Sequence, residues 1–171
     1  VVEPAVTELT IKADLAAKAR AVIEAFQAKG LMLACAESCT GGLVAASLTA
    51  IAGSSAVVER GFVTYSNRSK TEMLGVPAAL IDGHGAVSEA VARAMAQGAV
   101  AASHADVAVA ITGIAGPGGG SADKPVGLIH FAATRRGGIT LHRREIFTGD
   151  REAVRTQAVL VALEMALALA A

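Results

Sequence analysis

The chain has 171 residues, enough for one domain with a substantial core. Hydrophobic residues make up 53% and charged residues 18%, which excludes an intrinsically disordered chain. Its 15 basic residues balance its 15 acidic ones, so no net charge draws the chain toward nucleic acid or an anionic membrane.

In chain order, Leu9, Leu15, Ala19, Val22, Ile23 and Phe26 recur at helical spacing over 7–29, and Gly30 supplies a stop. "LMLAC" (31–35) reads as a short buried strand. A helix is predicted from Gly41 to about Ala52, with Leu43, Val44, Ser47, Leu48 and Ile51 as its stripe. "GFVTYS" (61–66) alternates and is predicted as a second strand. A short helix near 69–74 and a proline-started one at 77–82 follow. Ser88 caps a helix to about Ser103, with Glu89 in its first turn. "VAVAITGI" (107–114) is a buried strand, and "AGPGGGSADKP" (115–125) is a glycine-rich loop. "VGLIHFAAT" and "ITLHRREIF" flank "RRGG" and predict a hairpin, after which Asp150 caps a final helix from 151 to about 169.

Helices between early strands and a late hairpin predict an α/β fold. The expected architecture is three layers, α/β/α, around a mixed, mostly parallel sheet, as one domain over 1–171. Cys35 and Cys39 form neither a disulfide framework nor a zinc ribbon, and read as reduced thiols in a cytoplasmic protein. No basic-plus-apolar leader is visible, and the apolar run near the C-terminus carries Glu164, which argues against a membrane span. That run, Ala158 to Ala171, predicts a homodimer or higher homo-oligomer.

Four loops gather the residues that carry chemistry: "AESCTGG" (36–42), "TYSNRSK" (64–70), "TGIAGPGGGS" (112–121) and "TGDREAVR" (148–155). The first three follow predicted strands, and parallel strands would bring them to one edge. Ser38 or Thr40 could cap the helix that follows, or Ser38 could be a nucleophile among the backbone N–H groups of Thr40, Gly41 and Gly42. Lys70 could be an exposed helix residue, or a base if held near a serine in a dry pocket. Ser66, beside Tyr65, is the rival nucleophile. The 115–121 loop lacks the phosphate-loop pattern, yet its glycines could approach an anion. Arg151 and Arg155 could grip a phosphate, or Arg155 could pair with Asp150 or Glu152. His84, His104, His130 and His142 are scattered, with no close pair and no metal-ligand spacing.

Taken together, "AESCTGGLVAASLTAIAGSS", "ERGFVTYSNRSK", "HGAVSE", "TGIAGPGGGSADKPVG" and "FTGDREAVR" resemble one family closely, over about residues 8–169. It is the CinA C-terminal domain family, the competence/damage-inducible proteins, whose characterised members are nicotinamide-mononucleotide deamidases. The chain resembles the stand-alone form. The resemblance implies a metal-free and cofactor-free amidase acting on a small molecule, nicotinamide mononucleotide, with neither nucleic acid nor membrane as partner. It implies Ser38 as nucleophile, Lys70 as base and Tyr65 as a relay or positioning hydroxyl. By the same resemblance, N–H groups near Thr40, Gly41 and Gly42 hold the oxyanion, while Thr112, Gly116, Gly118 and Arg151 contact the nucleotide. The alternative is a non-catalytic nucleotide-binding module of a competence or damage-response complex.

Overall fold

A computed structural model describes residues 3–171, with side chains from Ala13 onward. It contains α1 (Glu3–Lys29), β1 (Leu33–Glu37), α2 (Leu43–Thr49), β2 (Val58–Val63), α3 (Asn67–Leu74) and α4 (Ala78–His84). Then follow α5 (Glu89–Ala101), β3 (Val107–Gly113), β4 (Leu128–Arg135), β5 (Thr140–Ile146) and α6 (Arg151–Ala170). The five strands form one sheet in the order β2-β1-β3-β4-β5. β2, β1 and β3 pair in parallel, while β4 and β5 add antiparallel pairings, so the late hairpin is present. The fold is α/β, as its sequence pattern predicts.

The sheet is covered on both faces. Cys35, Val109, Ile111 and Phe131 bury one face under α1, α2 and α6. Ala34, Ala36, Ala108, Ala110 and Ala132 bury the other under α3, α4 and α5. That second face is nearly all alanine, so Met95 and Val91 of α5 can lie close to the strands. α6 is long and apolar enough to cross a membrane by composition, yet its Val159, Leu163 and Ala166 are sealed in the core. The apolarity that suggests a subunit interface is thus largely accounted for inside this chain. Of the predicted stripe of α1, Ala19, Val22, Ile23 and Phe26 are buried. Leu9 lies outside the described side chains.

Two strands sit away from their predicted positions. β1 starts at Leu33 and runs on through the charged Glu37, two residues beyond the apolar run. β2 is Val58–Val63 rather than 61–66, because the charged Glu59 and Arg60 are carried on an edge strand. Helix α2 is shorter than predicted: Gly42 precedes it with φ +99°, and the chain leaves it at Ala50 before a 3₁₀ turn at Ser54–Ala56. Gly42 precedes α2 with no side-chain cap bond, so neither Ser38 nor Thr40 caps that helix, whereas the caps predicted at Ser88 and Asp150 hold. Ser88 accepts from the N–H of Val91, and Asp150 from that of Ala153.

The hairpin corrects one expectation about the histidines. Ala132 lies opposite His142, which puts His130 on the diagonal of the same face. Their rings stack, with His130 Nδ1 3.0 Å from His142 Nε2 and His142 Nδ1 3.5 Å from Glu89. Burial first, then the charges of His142, Arg144 and Lys124, push His130 down to about 4 against a weaker pull from Glu89. Because the folded value lies below the unfolded value of about 6.5, the unfolded chain takes up its proton first as pH falls. This contribution to stability is therefore present above about 6.5 and lost as pH drops toward 4. His130→Gln should show a shallower fall in denaturation midpoint than wild type between those two pH values. Parallel curves would show that His130 is not the sensing group.

Candidate active site

Strand alternation separates two neighbouring polar residues at the end of β1. Cys35 faces α2 and α6, so Glu37, two residues on, faces the same way. Ala34 and Ala36 face α5, and Ser38 continues their side. Glu37 is 1% exposed, and its carboxylate accepts three backbone N–H groups, from Gly42 at 3.1 Å, Val44 at 3.0 Å and Ala45 at 2.9 Å. The acid thereby ties the start of α2 to the end of β1. Ser38 is left on the opposite face, its own N–H bonded to Ile111 O.

On that face Ser38 meets Lys70. Ser66 caps α3, accepting from Ser69 N and donating to Ser69 Oγ, which fixes Lys70 one turn into the helix. Lys70 is 1% exposed, and its amine lies 2.9 Å from Ser38 Oγ, 2.8 Å from Thr64 O and 3.5 Å from Tyr65 O. No carboxylate pairs with it among the described residues. Burial lowers its pKa below the ordinary lysine value, against a smaller opposing effect from Cys39. A neutral amine can donate two hydrogens to the two carbonyls and accept the serine hydrogen with its lone pair. Ser66 is committed as a cap, so the geometry favours Ser38 over its rival.

The dyad opens into a cleft of about 290 Å³ at the carboxyl ends of the three parallel strands. Tyr65, Asn67, Thr112, Ile114, Gly116, Gly118 and Arg151 help to line it. Thr112 donates to Ala86 O at 2.9 Å. Arg151 donates to Gly116 O at 2.8 Å and to the Tyr65 hydroxyl at 2.9 Å, bridging two walls of the cleft. The Tyr65 side chain thus points to Arg151, while only its backbone carbonyl approaches Lys70.

The turn after Ser38 departs from the sequence expectation. Gly41 N–H donates to Ser38 O and Gly42 N–H to Glu37, so neither is a free donor. Thr40 is fully buried, and its side chain is not part of the cleft lining. The N–H groups of Cys39 and Thr40 make no backbone–backbone bond among the described residues, and of the two residues only Cys39 lines the cleft. Arg155 pairs with neither Asp150 nor Glu152 but donates to Cys39 O at 3.2 Å and Thr40 O at 2.8 Å. Cys39 and Cys35 are free, buried thiols, and burial pushes Cys39 up to about 12, so it is no nucleophile at neutral pH. Among the described residues no cluster of three His, Cys, Asp or Glu is placed to hold a metal.

Sequence reasoning did not foresee the contacts of Glu37 and Arg155, and it did not single out Asn67. The alternation of "ACAES" carries the first of these. Nothing local signals Arg155, whose partners lie 116 and 115 residues away.

Comparison with known proteins agrees with this architecture. The model of the CinA C-terminal domain matches residues 15–170. The nicotinamide-nucleotide amidohydrolase PncC of Escherichia coli K12 is 59% identical over 143 residues, covering 82% of this chain and 86% of its own. The protein of the same name from Enterobacter agglomerans is 54% identical over 143 residues, covering 84% and 87%. The crystal structure of competence/damage inducible protein CihA from Agrobacterium tumefaciens superposes with a TM-score of 0.90 at 54% identity, over 91% of this chain and 95% of that one. With a family match over nearly its whole length and relatives of this identity, the chain belongs to the CinA C-terminal domain family.

Proposed function

We propose that this protein is a nicotinamide-nucleotide amidohydrolase, converting the carboxamide of nicotinamide mononucleotide to a carboxylate and releasing ammonia. The observation that carries the mechanism is the 2.9 Å contact between Lys70 Nζ and Ser38 Oγ, both buried at the floor of the cleft. The relatives' names support the choice of substrate.

Ser38 Oγ attacks the carboxamide carbon and its proton passes to Lys70. The carbon–nitrogen bond then breaks as Lys70 returns that proton to the leaving nitrogen, giving ammonia and an ester on Ser38. Water attacks the ester, its proton goes to Lys70, and the ester oxygen leaves as Ser38 recovers the proton. An amide is a weak electrophile, so the attack needs both a base and a donor for the negative oxygen. The N–H of Cys39, a cleft residue next to Ser38, takes that second role in place of Gly41 and Gly42. The cationic pyridinium withdraws electrons from the carboxamide and further disfavours a charged Lys70. Arg151, with Gly116, frames the part of the cleft where the ribose phosphate would lie, while Thr112 sits beside Ser38 in the β1–β3 register.

The test is ammonia release from nicotinamide mononucleotide by purified protein without added metal. The acidic limb of kcat/KM should rise with pH as Lys70 loses its proton, levelling below the ordinary lysine value of about 10.4. No ammonia above a Ser38→Ala control would overturn the enzymatic reading and leave a binding module. A profile that falls as pH rises from 5 to 9 would remove Lys70 as the base.

A further inference from the structure

We infer that the main chain of Gly113 reads the carboxamide itself, its N–H donating to the amide oxygen and its C=O accepting from the amide NH₂. The inference rests on the hydrolase reading above and adds a second donor beside the Cys39 N–H.

β3 is longer than its pairing with β1. The parallel ladder ends where Glu37 meets Ile111, whereas β3 runs on to Gly113. Ser38 N–H donates to Ile111 O at 3.0 Å, so the backbone polar groups of Ile111 face β1. Residues two apart on a strand point these groups the same way, so those of Gly113 also face the β1 side. The next peptide agrees. Ile114 N–H donates to Leu128 O at 2.9 Å, on the β4 side, and a trans peptide then turns Gly113 C=O the other way. In a longer ladder Ser38 O would take the Gly113 N–H, but that oxygen accepts from Gly41 N–H at 3.0 Å instead. Neither group of Gly113 has a backbone partner among the described residues.

Gly113 lines the cleft together with Ser38, Cys39 and Thr112, and it is only half-buried. A strand residue with both groups free offers a donor and an acceptor side by side. A primary carboxamide presents the complementary pair, an acceptor oxygen next to a donor NH₂. Docked there, it continues the ladder where the turn after Ser38 breaks it off, and it lies in the plane of the sheet. The Ser38 side chain leaves that plane on the α5 side. Its Oγ therefore meets the face of the carboxamide rather than its edge, as attack on a carbonyl carbon requires. The Gly113 N–H bond strengthens as the oxygen becomes negative. The product carboxylate has no hydrogen to give and confronts Gly113 C=O, so it binds worse than the substrate. Packing also calls for glycine here: an added Cβ would run into Ile129 Cδ1 and lie 2.8 Å from Leu128 O. Gly113→Ala thus disturbs β4 and is no clean test.

Three measurements avoid that substitution. In the first, glycine amides are followed by NMR while a fluorophosphonate reacts with Ser38. The phosphoryl oxygen of the adduct stands in for the oxyanion, so the Gly113 proton should move downfield. The N–H groups of Gly41 and Gly42, already given to Ser38 O and Glu37, should move much less. In the second, glycolic acid is inserted in place of Gly113 during translation, which exchanges its N–H for an ester oxygen. A fall in kcat on the order of 100-fold is expected, with labelling by the fluorophosphonate slowed in parallel. The urea midpoint should change little, because that N–H has no backbone partner. In the third, calorimetry on Ser38→Ala reads the carbonyl. Nicotinic acid mononucleotide should bind at least about tenfold more weakly than nicotinamide mononucleotide.

A stationary Gly113 proton, or an ester variant with unchanged kcat and labelling, would overturn the donor role. A lower midpoint with an unchanged labelling rate in the folded fraction would overturn it too, and make the N–H structural. Equal affinity for the two nucleotides would overturn the acceptor role. If neither nucleotide binds while the Gly113 proton still moves on phosphonylation, the substrate assignment fails alone and the donor stands.

Discussion

Ser38→Ala and Lys70→Ala should each remove nearly all turnover, on the order of 10⁴-fold or more, and the double variant should be little worse than either single one. The two groups act as one unit: Ser38 without a neutral amine cannot lose its proton, and Lys70 without the hydroxyl has nothing to activate. Lys70→Arg should fail as well, because arginine stays protonated and cannot accept the serine proton. Lys70→Met is the informative control for folding. It keeps much of the buried volume but leaves Thr64 O without the amine that donates to it, so a loss of about 1–3 kcal/mol is expected while activity is lost entirely. A variant that still unfolds cooperatively above the assay temperature yet releases no ammonia separates loss of chemistry from loss of fold. Near-normal ammonia release from Ser38→Ala, with loss in Ser66→Ala, would make Ser66 the nucleophile.

The convergence of the loops was legible from the sequence because it follows periodicity, whereas the role of each residue was implied by the family resemblance. Strands rich in small and β-branched residues end in polar clusters, and parallel pairing brings those ends together. Ser38, Lys70, Tyr65, Thr112, Gly116, Gly118 and Arg151 do line one cleft. What could not be read was which backbone groups remain free. Gly41 and Gly42 look like open donors in "SCTGG", yet one closes a turn and the other is taken by Glu37. Hydrogen-bond accounting of this kind needs three dimensions, since each donor has only one proton to give.

Long-range partners were hidden for a related reason. In the sequence Arg155 reads either as a phosphate grip with Arg151 or as a surface residue within reach of Asp150 and Glu152. Packing α6 beneath the sheet instead delivers its guanidinium to the turn after β1. His130 and His142 likewise look unrelated until the hairpin register places them side by side. The strand ends moved because charged residues were read as boundaries. Glu37 and Arg60 both lie inside strands, one buried by hydrogen bonds and the other at an edge.

Glu37→Ala should be the most costly single change in stability near the site. It removes the acceptor for the N–H groups of Gly42, Val44 and Ala45, and the Val44 bond is wholly buried. Each buried donor left without a partner costs about 1–3 kcal/mol. A loss of about 3 kcal/mol or more is therefore expected, a large share of the roughly 5–15 kcal/mol that holds a domain together. Glu37→Gln should be milder, since the amide oxygen still accepts while its NH₂ confronts at least one N–H. The order Ala worse than Gln separates hydrogen bonding from charge. A charge effect alone would make the two equal, because both remove the same negative charge. The measurement is the urea midpoint of each variant at constant m-value. Activity should fall with the same ranking, because the carboxylate fixes the start of α2, and the turn between Ser38 and that helix carries the Cys39 N–H assigned to the oxyanion. Midpoints within about 0.5 kcal/mol of wild type for both variants would mean that other acceptors satisfy α2, and that Glu37 is not what holds the turn.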